Sequence, residues 1–168
     1  MKTQLQLTAF AAIILSISPV FAKTPENPKV DMPGFLTIAT SAASQRVLHD
    51  QESFLKMSAE KGVVVLDARS ADKFAMLHVK GAVNLPFTDF TEETLAKIVP
   101  DKNTRILIYC NNNFDNAPRA MPMKMAPASL NLSTLVSLHT YGYKNVHELS
   151  GYIDVKKSKL PFAGTDAK

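Results

Sequence analysis

Two short runs constrain the fold of this chain more than any other feature: Val63, Val64, Val65, Leu66 and Asp67, and later Ile106, Leu107, Ile108 and Tyr109. Neither alternates between apolar and polar residues, so neither reads as a strand with one face in water. A continuous apolar run, the first β-branched and introduced by Gly62, is the pattern of a strand covered on both faces. Parallel strands of that kind are joined by helical crossovers. Helical spacing recurs around them. Ser70 precedes Phe74 and Leu77, and Thr91 with Glu92 and Glu93 precedes Leu95 and Ile98. Leu132, Leu135, Val136 and His139 share a helical face that ends near Gly142. Residues 81–86, stopped by Pro86, and residues 145–149 read as further short strands. The expectation is an α/β domain with a central parallel sheet and helices on both faces.

Ahead of the first buried run, residues 35–39 read as a short edge strand, followed by a helix that Ser41 caps and that carries Ala43, Val47, Leu48, Phe54 and Leu55. The start of the chain reads as an export signal. Lys2 precedes a mostly apolar stretch from Leu7 to Val20, and Ala22 offers a cut site. That stretch contains Pro19 and is shorter than the roughly 20 residues that span a bilayer, so the expectation is an exported, periplasmic protein with no membrane attachment after cleavage. Residues 23–34, with their prolines, read as a flexible lead-in, residues 35–155 as one domain and residues 156–168 as a solvated tail. Removing Lys2 with residues 1–22 lowers the net charge from +4 to +3. That excess is weak and unclustered, which argues against nucleic acid as a partner and modestly favours small anions.

The single cysteine, Cys110, ends the second buried run. Loops at the carboxyl ends of parallel strands form the ligand crevice, and the next helix directs its positive end there. Such a field can turn a thiol into a nucleophile. A lone cysteine in an exported chain has no internal disulfide partner, so it is inert, paired with another molecule, or reactive. Residues 111–129 then form a loop of unusual length containing Pro118, Pro122 and Pro127, and such loops are functional or disordered. Met121, Met123 and Met125 alternate within it. Thioethers suit Cu(I), and methionine also serves as apolar filler in a lid. No cofactor is expected. His78 reads as a structural hydrogen-bonding residue, and His139 and His147 carry no ligand spacing.

Four stretches together resemble a rhodanese domain: Val64-Val-Leu-Asp67-Ala-Arg69; Phe74 with His78-Val-Lys-Gly81-Ala-Val-Asn84-Leu-Pro86; Ile106-Leu-Ile-Tyr-Cys110; and Gly142-Tyr-Lys-Asn145-Val-His-Glu-Leu-Ser-Gly151. The resemblance implies a sulfurtransferase of three-layer α/β architecture. In it Cys110 accepts a sulfane sulfur from thiosulfate or a persulfide, becomes a persulfide, and passes the sulfur to a thiol or cyanide. A protein thiol is one acceptor of that class. Asp67 and Arg69 fall within a matching signature and read as an ion pair bracing the loop. The chain departs from the family where a compact loop with a glycine and an arginine follows the cysteine. Here Asn111, Asn112, Asn113 and Phe114 follow, and the first arginine is Arg119. These residues and Lys124 are the candidates for substrate contact. Asparagine tolerates left-handed backbone and can donate amide hydrogen bonds. Cysteine-based phosphatases, which need an arginine five residues beyond the loop's start, are poorly matched because position 116 is Asn. The alternative is a non-catalytic module that uses residues 111–129 to bind a partner or a metal.

Overall fold

The computed structural model describes residues 27–167. The export signal and its cut site lie outside the described residues, as do residues 23–26 of the lead-in. The two continuous runs become β2 (Val64–Asp67) and β5 (Ile106–Tyr109), which pair in parallel. They sit inside a five-stranded sheet completed by β1 (Val47–His49), β4 (Val83–Asn84) and β7 (Val146–Leu149). The order is β1-β7-β5-β2-β4, and every pairing is parallel.

Alternate residues of the central strands enter two cores. Leu66, Ile106 and Ile108 pack with Ala42, Leu95, Leu135 and Leu138 on one face. Those partners belong to α1 (Met32–Ser44), α4 (Glu92–Ile98) and α5 (Leu130–Thr140). Val65, Leu107 and Tyr109 pack on the other face with Phe54 of α2 (Gln51–Ser58) and with Leu77, which follows α3 (Ala71–Met76). Both faces are therefore dry, which is why the strands show no alternation. Ile106, Leu107 and Ile108 are fully buried, each contributing about 1.5–3 kcal/mol of transfer free energy.

Three local expectations are corrected. Residues 35–39 are the middle of α1, not a strand: the Asp31 carboxylate accepts the Gly34 amide at 2.9 Å, and Pro33 occupies the first turn. The ordered domain consequently takes in residues 31–34 of the expected lead-in. The helix expected from Ser41 through Leu55 is broken instead, because Val47, Leu48 and His49 pair with His147, Glu148 and Leu149 as an edge strand. Asp50 then caps α2 by accepting the Ser53 amide at 2.8 Å. Finally, the end of the chain is not a solvated tail. Leu160 is buried, and β9 (Phe162–Ala163) pairs antiparallel with β3 (His78–Val79). Gly164 holds a positive φ where any Cβ would lie 2.5 Å from the Met76 carbonyl. The amides of Thr165 and Asp166 then reach the Ala75 and Met76 carbonyls, which satisfies the open end of α3.

Candidate active site around Cys110

Cys110 follows β5 at the carboxyl edge of the sheet and opens a 3-10 turn, Asn111–Asn113. Its amide donates to Asn113 Oδ1 at 2.9 Å, and its carbonyl accepts the Asn113 amide at 3.1 Å. The thiol is 1% exposed. Its Sγ lies 3.4 Å from the hydroxyl of Ser129, the residue immediately before α5. Ser129 sits where serine normally caps a helix, yet its side chain makes no capping bond. Its hydroxyl faces the sulfur instead. In the sequence Ser129 is marked only by its place between a proline-rich loop and a helix; its approach to Cys110 is a tertiary contact.

The loop folds over the thiol and is pinned by the asparagines beside it. The Asn111 amide donates to the Pro122 carbonyl. Asn112 binds Lys124 in both directions: its Nδ2 donates to the Lys124 carbonyl at 2.8 Å, and its Oδ1 accepts the Lys124 amide at 2.9 Å. Asn113 donates to the carbonyls of Leu149 and Gly151 at 2.8 and 3.2 Å, and Asn131 approaches its oxygen at 3.4 Å. All three side chains, expected to meet substrate, hold protein backbone in this closed arrangement. Left-handed backbone occurs at Asn116, with φ 59°, rather than at these positions. Phe114 packs into the second core. It is buried in β6 (Phe114–Asp115), edge-on to Tyr109 and Phe162, and β6 pairs with β8 (Ile153–Asp154).

A buried polar cluster lies beneath the loop. Arg69 grips Asp67 through Nε at 2.9 Å and Nη2 at 2.5 Å. Its remaining donors go to the carbonyls of Ala120 at 3.0 Å and Leu77 at 2.7 Å, and to Met121 Sδ at 2.8 Å. The guanidinium is thus saturated by the protein and braces the loop at 120–121. Burial alone would lower its pKa, but Asp67 outweighs burial and Arg69 stays charged. Tyr109 donates to Asp67 Oδ2 at 2.5 Å, and burial followed by the Asp67 charge pushes its phenol well above the usual range. His78 Nδ1 bonds the Phe74 carbonyl at 2.7 Å and stacks on that ring, a structural placement.

Beside the thiol, a cleft of about 410 Å³ runs between the loops that follow β2, β4 and β5. Asn111 and Leu130, the neighbours of Cys110 and Ser129, form its inner wall; Phe87 and Pro122 are apolar, and Lys73 and Lys124 are cationic. Lys73 reaches across to the Arg119 carbonyl at 2.7 Å. Lys124 has no side-chain partner among the described residues. The Arg119 side chain lines a different cavity and is not brought to this cleft. The three methionines also part company. Met121 is buried against Arg69, whereas Met123 and Met125 are 63% and 81% exposed. No group of three or more His, Cys, Asp or Glu poised for a metal exists among the described residues.

Comparison with known proteins adds family context. Residues 50–155 match the family model described as the rhodanese-like domain. Over 46 residues, 27% of this chain, the sequence is 39% identical to the thiosulfate sulfurtransferase PspE of Escherichia coli (strain K12) and spans 43% of that protein's length. The fold is similar to the BH2092 protein of Bacillus halodurans, with a TM-score of 0.54 and 20% identity over 80% of this chain and 88% of that one. A rhodanese with anions from E. coli aligns over 61% of this chain and 98% of its own, at 26% identity and a TM-score of 0.41.

Proposed function

The chain belongs to the rhodanese-like domain family, and on that premise we propose that it is a sulfurtransferase working through a Cys110 persulfide. The observation that carries this reading is the position of Cys110 at the carboxyl end of the central strand, with the Ser129 hydroxyl 3.4 Å from its sulfur and a lysine-rimmed cleft alongside. The Cys110 thiolate attacks the outer sulfur of thiosulfate, the sulfur–sulfur bond breaks, and sulfite leaves with the bonding pair. A thiolate acceptor then attacks the terminal sulfur of the Cys110 persulfide and regenerates the Cys110 thiolate. The Ser129 hydroxyl donates to the Cys110 thiolate, and Lys124 draws the anion into the cleft. Because the thiol is sealed, residues 122–124 lift for the donor to enter. Partner binding through that loop is the competing use of the same feature.

The test is intact mass after incubation with thiosulfate or polysulfide. One added sulfur is expected on the wild type and none on Cys110→Ser. A wild type left unmodified by both donors overturns the sulfurtransferase reading.

A further inference from the structure

A second cavity, of about 560 Å³, lies apart from the Cys110 cleft and shares no lining residue with it. Its walls come from residues 116–120 of the long loop and residues 155–167, together with Leu77. All but one residue of that last stretch follow the family match, which ends at 155, and the cavity forms where the long loop meets this end segment. Its body is apolar, with Leu77, Leu160 and Phe162, and its volume is in the range that takes a small organic molecule. At its rim stand Arg119 and Lys156, whose side chains have no hydrogen-bond or ion-pair partner among the described residues, opposed by Asp166. Asp166 also accepts the Thr165 hydroxyl at 3.2 Å, a contact with a neutral group, so the rim carries two cations against one carboxylate. An apolar chamber whose rim carries two unpaired cations against one carboxylate, a net charge of +1, is complementary to a ligand with an apolar body and one anionic end.

We propose that this cavity binds a small organic monoanion, a carboxylate or sulfonate on an apolar body, at a site separate from Cys110. The apolar body fills the space between Leu77, Leu160 and Phe162, and the anionic group meets Arg119 and Lys156. The full chain is titrated calorimetrically with 1-naphthoate and with 1-naphthylmethylammonium, which share a ring system and differ in the sign of their charge. Saturable one-site binding of the naphthoate, about tenfold tighter than the ammonium, is expected. Arg119→Gln should weaken the naphthoate several-fold, and Asp166→Asn should strengthen it. Both side chains are exposed, so neither change should move the thermal midpoint. Amide shift changes on binding should fall in residues 117–120 and 158–167. Equal affinity for the two probes, no saturable naphthoate binding, insensitivity to Arg119→Gln, or shifts centred on Lys124 would each overturn the proposal.

Discussion

Ser129 and Arg69 show how differently two polar side chains near one thiol can act. The Ser129 hydroxyl makes a single hydrogen bond among the described residues, to Cys110 Sγ, and caps no helix. A hydrogen bond to a charged partner contributes about 1.5–3 kcal/mol, so Ser129→Ala should lower kcat/KM for sulfur transfer roughly tenfold or more with the thermal midpoint unchanged. An unchanged kcat/KM would remove Ser129 from the reaction. Arg69 has the opposite profile. It is 5% exposed and its partner Asp67 is fully buried, so Arg69→Ala strands a carboxylate in the interior and should cost about 3–5 kcal/mol of stability in urea unfolding. Arg46 and Glu148 form a similar fork, with bonds of 2.6 and 2.9 Å to a fully buried carboxylate, whereas the exposed Arg105 and Glu60 pair should contribute under about 1 kcal/mol.

Among the elements, the long loop is held in two ways. Its 120–121 portion is clamped from inside by Arg69 and by the burial of Met121, while its 122–124 portion is held near the surface by Asn111 and Asn112. The outer portion is therefore the part able to lift while the inner portion stays. Asn112→Ala removes both bonds to Lys124, each of roughly 0.5–1.5 kcal/mol, and should speed iodoacetamide labelling of Cys110 several-fold at constant pH. A labelling rate equal to wild type would mean that the thiol is reached by another route. The proline spacing of this stretch was legible as a loop, but not its closure. Closure comes from amide-to-carbonyl bonds between residues about a dozen positions apart, which leave no periodic trace. The helix after it shows a related limit. Leu132 is partly exposed, and the buried face is built on Asn131, Thr134, Leu135, Leu138 and His139. Asn131 is inside because it meets Asn113, a partner that helical spacing alone does not reveal.

At the scale of the whole molecule, the end segment and two histidines each make a testable contribution to stability. Truncation after residue 155 removes Leu160 and Phe162 from the second core and should cost about 3–6 kcal/mol, two side chains at roughly 1.5–3 each, read as a lowered thermal midpoint. His147 is held below the usual histidine range by burial and by the charges of His49 and Arg105, and His139 by burial and Lys144. The unfolded chain therefore binds more protons than the folded one across the window below about 6.5, and stability rises with pH there. The thermal midpoint should fall as pH drops from 7.5 to 5, and a His139→Gln, His147→Gln double variant should flatten that slope. A slope that is unchanged in the double variant would assign it to other groups.

The sequence by itself determined the buried central strands, the parallel α/β architecture, the family and the strand-end position of Cys110, because each is written in contiguous residues. Continuous apolar runs report two covered faces, and family signatures are local. Only the tertiary structure decided that residues 35–39 are helical, that residues 47–49 form the sheet edge, that the final residues complete a core, and that the side-chain amides of Asn111, Asn112 and Asn113 are spent on backbone carbonyls around the closed loop. Those outcomes depend on long-range partners: β7 for the edge strand, α3 and β3 for the chain end, and the far side of the loop for the asparagine amides. An amide side chain satisfies whichever carbonyl the fold brings within about 3 Å, and that choice is made in space rather than along the chain.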